Sequence, residues 1–236
     1  MRPISASLSF IEHILSRPWA CLFAALLCII AESWIALDQA AQSVFFRDNG
    51  WLISKAFHRA HDMTLYTVPK LLVGAVAIAA LAVVVLGHLP RRRDRYARWR
   101  VPCLVIFLSI CLTPLAVSAL KAATGVYGPS DLLPYGGKHA HIGVLEHVWL
   151  YGRTDTGRSF PAGHASGGFA LMALYYLPLR PGIQIALTTA GFALGWLMGL
   201  YQMARGEHFL THTLTTMLLA LGIIGLLARR LHPANG

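Results

Sequence analysis

Charged residues are scarce in this chain of 236 residues. Asp, Glu, Lys and Arg together make up 13% of it, whereas soluble domains usually contain about 25%. Hydrophobic residues make up 56%, and several apolar runs approach the roughly 20 residues that cross a bilayer. The shortage of charge therefore argues against a soluble domain and predicts one membrane domain over residues 1–236.

Acidic residues are the scarcer charged type, with 10 Asp and Glu against 20 Lys and Arg. A basic balance can indicate nucleic-acid binding, but the arginines here lie in short loops beside apolar runs. The densest group is the basic segment RRRDRYARWR at 91–100. Basic short loops mark the cytoplasmic side of a membrane protein. The charge therefore predicts membrane topology, and no nucleic-acid partner is expected.

Cysteine is also rare, and all four cysteines lie inside apolar runs: Cys21, Cys28, Cys103 and Cys111. None has the spacing of a metal site. We interpret them as small hydrophobic residues.

The apolar runs predict an all-α integral membrane protein, a bundle of six transmembrane helices with both termini in the cytoplasm. The predicted spans are 18–37, 68–88, 101–121, 162–179, 183–203 and 209–228. The loops 38–67 and 122–161 then lie outside the cytoplasm. Residues 45–61 alternate at roughly helical spacing, which predicts a short amphipathic helix on the outer membrane surface or a helix packed over the bundle.

The first cluster of polar residues with potential chemical function is the segment RSFPAGHASGG at 158–168. Ser159 is a good helix cap and Pro161 suits a first turn, so a helix start is predicted here. The free N–H groups of residues 162–164 would then form an anion site. His164 adds a group that exchanges protons near neutral pH. Taken alone, the stretch also fits an ordinary capped helix with an interfacial histidine.

Two further polar clusters lie at predicted outer ends of spans. LKAATGVYGPSDLLPYGGKH (120–139) begins with Lys121 at the end of the third span. YQMARGEHFLTHTL (201–214) lies between the last two spans and contains Gln202, Arg205, Glu207, His208 and His212. Ionisable residues at membrane depth are costly, and they are functional-site hypotheses by default.

Together the three clusters resemble the type 2 phosphatidic acid phosphatase superfamily. Its pattern is Lys-x6-Arg-Pro, then Pro-Ser-Gly-His, then Ser-Arg-x5-His-x3-Asp. The retained positions are Lys121, Pro129, Pro161, Gly163, His164 and His208. The departures are Gly128, Ala162, Tyr201, Gln202 and His212, the last standing where the family has Asp.

The resemblance implies roles for these residues. His208 would be the nucleophile that forms a phosphohistidine, and His164 the acid that protonates the leaving oxygen. Lys121 and the backbone of Gly163 would bind the phosphoryl oxygens, and His212 would orient His208. Arg205 and Arg158 are expected to replace the missing arginines, and Arg153 is a weaker candidate. Gln202 is a further expected substrate-binding residue. No metal or other cofactor is implied.

The implied activity is removal or transfer of a phosphate from a lipid phosphate or diphosphate of the polyprenyl, phosphatidyl or lipid A class. The setting would be a bacterial inner membrane with the active site facing the periplasm or the cell exterior, and membrane lipids would be the other partners. The motif departures leave open a non-catalytic lipid-phosphate-binding protein on the same fold. The eleven histidines leave open a metal or haem membrane protein, and a transporter is a further alternative. The oligomeric state is not predicted.

Overall fold

The structure, a computed structural model, describes residues 10–31, 36–53, 67–146 and 157–231. Its main elements are the helices α1 (Pro18–Ala31), α2 (Ala36–Gln42), α3 (Val68–Leu86), α4 (Arg93–Thr124), α5 (Gly163–Ala170), α6 (Pro181–Ala204) and α7 (Leu210–Leu231), and the strands β1 (Phe46–Arg47) and β2 (Gly50–Trp51). Short helical turns occur at Pro90–Arg92, Pro129–Asp131, Leu133–Tyr135 and Val144–Glu146. A 3₁₀ helix, Leu171–Tyr176, continues α5.

Within the described residues, four helical stretches are long and apolar enough to cross a membrane: Val68–Leu86, Pro90–Asp131, Pro181–Ala204 and Leu210–Leu231. The chain is therefore an all-α membrane protein, as its composition predicts. The first predicted span, 18–37, contains α1, whose 14 residues extend only about 21 Å. The count of six spans stays a prediction.

The predicted fourth span, 162–179, is a central helix. It is made of α5 and the 3₁₀ helix, together about 24 Å long, because a 3₁₀ helix rises more steeply per residue. Every residue of the pair is buried or half-buried, since α4, α6 and α7 pack around it. Hydropathy alone does not distinguish a lipid-facing helix from a buried one, and this segment is buried at the core of the bundle.

Glycines allow the central helix to approach α6 closely. A Cβ atom added at Gly168 would lie 2.5 Å from the backbone nitrogen of Gly195. Gly191 lies one helical turn before Gly195, and a Cβ there would lie 2.8 Å from the carbonyl carbon of Leu171. Small residues four apart are the usual device for close packing of membrane helices.

We expect Gly168→Ala to destabilise the bundle by about 1–3 kcal/mol, the usual cost of overpacking a core. The methyl group would meet backbone atoms, which cannot move aside as a flexible side chain can. Thermal unfolding in detergent measures the effect. Gly74→Ala in α3 is the matched control, because nothing lies within 4 Å of a Cβ there. Equal midpoints for the two variants would contradict the packing argument.

The predicted amphipathic helix at 45–61 is wrong where the structure describes it. Strands β1 and β2 form an antiparallel hairpin that pairs Phe46 with Trp51. The two residues between the strands, Asp48 and Asn49, have positive φ angles of 50° and 58°. Asp, Asn and Gly favour this hairpin turn, so turn chemistry overrides the helical spacing. Residues 54–61 lie outside the described residues.

Candidate active site

The three polar clusters meet at one end of the bundle, where α4 ends and where α5 and α7 begin. They enclose a cavity of about 230 Å³. Its lining residues are Lys121, Gly128, Asp131, Arg158, Ser159, His164, Glu207 and His208. Asp131, Arg158 and Glu207 are exposed, whereas His208 is buried. The cavity therefore has a charged rim and a histidine at its base.

The structure brings four of the predicted site residues to this cavity: Lys121, Arg158, His164 and His208. Lys121 comes from the last turn of α4, and His164 from the first turn of α5. A Cβ atom at Gly163 would lie 3.4 Å from the Nζ atom of Lys121. The ammonium group thus lies beside the N-terminus of α5, whose dipole and free N–H groups also favour anions.

His208 is only 3% exposed, and it lies in the short connection between α6 and α7. Its Nδ1 atom is 3.0 Å from the Oγ atom of Ser159. Its Nε2 atom is buried and has no hydrogen-bond partner among the described residues. The rings of His208 and His164 have centroids 6.1 Å apart. A small group could therefore lie between the two imidazoles.

The surroundings of His208 favour its neutral form. Burial lowers the pKa of His208 well below the ordinary 6.5, and the charges of Lys121, His212 and His164 lower it further. A hydrogen bond with the backbone of Ser159 acts in the opposite direction and raises the pKa. At neutral pH the ring therefore keeps a lone pair, as a nucleophile requires.

If neutral His208 is the reactive form, protonation of His208 will limit activity only well below pH 6.5. The sign follows from the depressed pKa: as the pH falls, the neutral ring persists beyond the point where an ordinary imidazole is protonated. The acid limb of the kcat/KM profile measures this. Two substrates with different phosphate pKa values serve as the control, because a limb set by the substrate moves between them. A substrate-independent limb centred near 6.5 would contradict the expectation.

His212 does not line the cavity. It is fully buried, and its Nδ1 atom is 3.4 Å from the same Oγ atom of Ser159. The rings of Phe160 and Phe209 form edge-to-face contacts with the His212 ring, at centroid distances of 5.0 and 5.4 Å. Since α7 begins only at Leu210, residues 208–212 are not one helical turn, but both imidazoles still reach Ser159.

The predicted cap at Ser159 is wrong. Helix α5 begins at Gly163 with Ala162 in the capping position, and Pro161 lies before the helix. The Ser159 hydroxyl instead contacts the backbone carbonyl of Glu207 and the two histidines. The N–H group of Ala162 donates to the carbonyl oxygen of His212 at 3.1 Å, so it is not available to an anion.

Gln202 and Arg205 lie outside the cavity lining. The Nη1 atom of Arg205 donates to Oε1 of Gln202 at 3.2 Å, and its guanidinium lies 5.5 Å from the ring centre of Tyr201. Its Nη2 atom is 3.5 Å from a carboxylate oxygen of Glu207. Arg205 therefore contacts the rim through Glu207. The weaker candidate Arg153 lies outside the described residues.

Glu207 and Asp131 also line the cavity, although the family resemblance gives neither of them a role. Glu207 precedes α7 and is not helical, so its side chain need not diverge from that of its neighbour His208 as helical neighbours do. Asp131 is the last residue of the 3₁₀ turn Pro129–Asp131, and no motif indicates it. Gly128 explains one departure from the family pattern: a Cβ there would lie 2.7 Å from the carbonyl oxygen of Glu207. An arginine does not fit at this position.

Helix α2 holds both ends of the segment 203–211 that contains His208. Asp38 accepts a hydrogen bond from the N–H group of Thr211 at 2.9 Å and another from its hydroxyl. Gln42 donates from Nε2 to the carbonyl oxygen of Met203 at 2.9 Å. Both side chains are almost fully buried. These contacts join residues far apart in the sequence, and no local pattern could have indicated them.

A family model described as "PAP2 superfamily" matches residues 102–235, more than half of the chain. The chain belongs to the PAP2 superfamily. The matched region contains every residue that lines the cavity, whereas α2 and the hairpin precede it. PAP2 membership supports a phosphatase-like function. A search of curated proteins and a search of solved structures each found no match.

The metal-protein alternative has no site in the part of the chain that the structure describes. There, no group of three or more His, Cys, Asp or Glu side chains is arranged to hold a metal ion.

Proposed function

We propose that this chain is a membrane lipid phosphatase, or a related phosphotransferase, in which the phosphoryl group passes through His208. The observation that carries the proposal is the buried Nε2 atom of His208, which lacks a hydrogen-bond partner among the described residues, in a side chain that lines a cavity with two cationic side chains. A neutral imidazole beside cations is suited to attack phosphorus.

Binding of the phosphoryl group comes first. Lys121 and Arg158 supply positive charge, and charge-assisted hydrogen bonds to phosphate oxygens are the strong ones. The N–H groups of Gly163 and His164 belong to the first turn of α5, where helical acceptors are lacking. These groups stabilise the oxygens as charge develops during transfer.

Transfer then takes place in two steps. The lone pair on Nε2 of His208 forms a bond to phosphorus while the bond to the leaving oxygen breaks, and His164 gives that oxygen a proton. In the second step a water oxygen bonds to phosphorus, the Nε2–phosphorus bond breaks, and His164 takes the proton from water. A hydroxyl of an acceptor molecule in place of water gives a phosphotransferase with the same residues.

The size and place of the cavity favour a lipid substrate. At about 230 Å³ it is smaller than the roughly 300–1,000 Å³ of pockets that enclose a drug-sized ligand. It therefore admits a phosphorylated head group, whereas the acyl or prenyl chains would stay in the bilayer. The chemistry fits polyprenyl diphosphates, phosphatidyl phosphates and lipid A phosphates alike.

Helix α4 supports a periplasmic orientation of the site. It runs from the basic segment at 91–100 to Lys121, about 42 Å along the helix axis from Arg93, and a bilayer with its head groups is about 40–45 Å thick. Because basic segments stay in the cytoplasm, the cavity would open on the opposite side. Six spans in a bacterial inner membrane would place both termini with the basic segment.

The test is phosphate release by the purified protein in detergent from a panel of polyprenyl diphosphate, phosphatidate and lipid A. Transfer to a second lipid is measured in the same assay, so that hydrolysis and transfer are separated. We expect release or transfer from at least one class. A folded protein that binds these lipids and turns over none of them would refute the enzymatic proposal.

That refuting outcome would favour the alternative of a non-catalytic lipid-phosphate binder. One observation supports the alternative: Asp131 and Glu207 lie on the rim with Lys121 and Arg158, so the rim carries both signs of charge. A binder would retain lipid binding while releasing no phosphate.

A further inference from the structure

Ser159 lies between the two buried histidines of the site. Its Oγ atom is 3.0 Å from Nδ1 of His208 and 3.4 Å from Nδ1 of His212. It also contacts the backbone carbonyl oxygen of Glu207. Ser159 is only 6% exposed. Three polar atoms of the protein therefore surround a hydroxyl that is nearly out of contact with solvent.

The single proton of this hydroxyl can serve only one of these neighbours. The carbonyl oxygen of Glu207 has no proton to donate, so the Ser159 hydroxyl must donate to it. The lone pairs of Oγ then face the histidines as acceptors. A nitrogen at 3.0 Å from such an acceptor is a donor. Nδ1 of His208 therefore carries the ring proton, and Nε2 carries the lone pair.

The backbone around Ser159 keeps the hydroxyl in this place. The N–H group of Ser159 donates to the carbonyl oxygen of Val126 at 2.9 Å. The hydroxyl of Thr124 donates to the carbonyl oxygen of Phe160, also at 2.9 Å. Thr124 is the last residue of α4 and Val126 follows it closely. These two hydrogen bonds therefore fix the loop before α5 to the end of a long membrane helix.

We propose that Ser159 is a positioning residue that holds His208 in the tautomer with its proton on Nδ1, which directs the lone pair of Nε2 to phosphorus. The inference rests on the proposed function, in which His208 is the nucleophile. When Nε2 bonds to phosphorus the ring gains positive charge, and its Nδ1–H becomes a stronger donor. Ser159 accepts that bond and keeps its own proton on the side of Glu207.

Ser159→Ala removes the acceptor and leaves both tautomers of His208 accessible. We expect kcat to fall by about 10- to 100-fold while the KM for the lipid changes by less than about 3-fold, since a tautomer error affects the chemical step. Ser109→Ala is the matched control, because Ser109 is also buried and donates only to a carbonyl oxygen, that of Val105. Its kcat is expected to stay at the wild-type value.

Ser159→Cys separates the hydrogen bond from packing. The thiol keeps the shape of the side chain but is a weak acceptor, so kcat is expected to stay low. Recovery of wild-type kcat in Ser159→Cys would mean that Ser159 only fills space, and would overturn the inference. Unchanged kcat in Ser159→Ala would overturn it as well.

Nitrogen-15 spectra of labelled histidine give a readout that a merely structural role would not change. We expect the His208 ring to carry its proton on Nδ1 in the wild type and to populate the Nε2–H form in Ser159→Ala. A wild-type proton on Nε2 would contradict the inference. His208→Ala separates the two proposals: if it is inactive while Ser159→Ala is fully active, only the role of Ser159 fails, whereas an active His208→Ala removes the proposed function itself.

Discussion

Replacing His208 with alanine is expected to lower phosphate release by roughly 10⁴-fold or more, the order of effect when a covalent nucleophile is removed. Nε2 of His208 is buried and has no hydrogen-bond partner among the described residues, and its surroundings hold the pKa of His208 low. With a radiolabelled lipid phosphate, brief incubation and quenching should trap label on the wild-type protein and none on His208→Ala. The label should be lost in acid and retained in alkali, as a phosphorus–nitrogen bond requires.

The matched control for this experiment is His13→Ala. His13 is exposed and is not among the residues that line the cavity. It should keep full activity and full labelling. A His208→Ala protein that retains phosphate release, or a label that resists acid in the wild type, would show that the phosphoryl group does not pass through this ring.

The helices were predictable from the sequence because hydropathy is a local property. Long apolar runs cross membranes, and four stretches in the described residues meet that requirement. Hydropathy could not show that 162–179 is the centre of the bundle, since a lipid-facing helix and a buried helix are both apolar. At 45–61 the spacing suggested a helix, but Asp48 and Asn49 adopt turn geometry that ends it.

The motifs predicted the reactive side chains better than the residues that hold those side chains in place. Lys121, His164 and His208 line one cavity, because they flank the ends of neighbouring helices. The supports depend on contacts that a motif does not encode. Ser159 has the residue type of a helix cap, yet it contacts His208, 49 positions later. Asp38 binds Thr211 across 173 positions.

His164→Ala is expected to lower turnover of lipid phosphates by about 10²- to 10⁴-fold, the usual contribution of a general acid. The reason is specific to the leaving group. A lipid alcohol leaves as a poor, strongly basic oxygen and needs a proton, and the ring of His164 lies across the cavity from His208 at a centroid distance of 6.1 Å. A thermal unfolding midpoint equal to that of the wild type must first show that the variant is folded and stable.

The decisive comparison uses a second substrate, p-nitrophenyl phosphate, whose leaving group is stable without a proton. If His164 is the acid, His164→Ala should lose far less activity on this substrate than on the lipid. Lys121→Met is the contrasting variant, because a cation that binds phosphoryl oxygens is needed whatever group leaves. It should lose similar activity on both substrates. Equal losses for His164→Ala would show that His164 binds or orients the phosphoryl group, and the proton for the leaving oxygen would then have to come from another group on the rim.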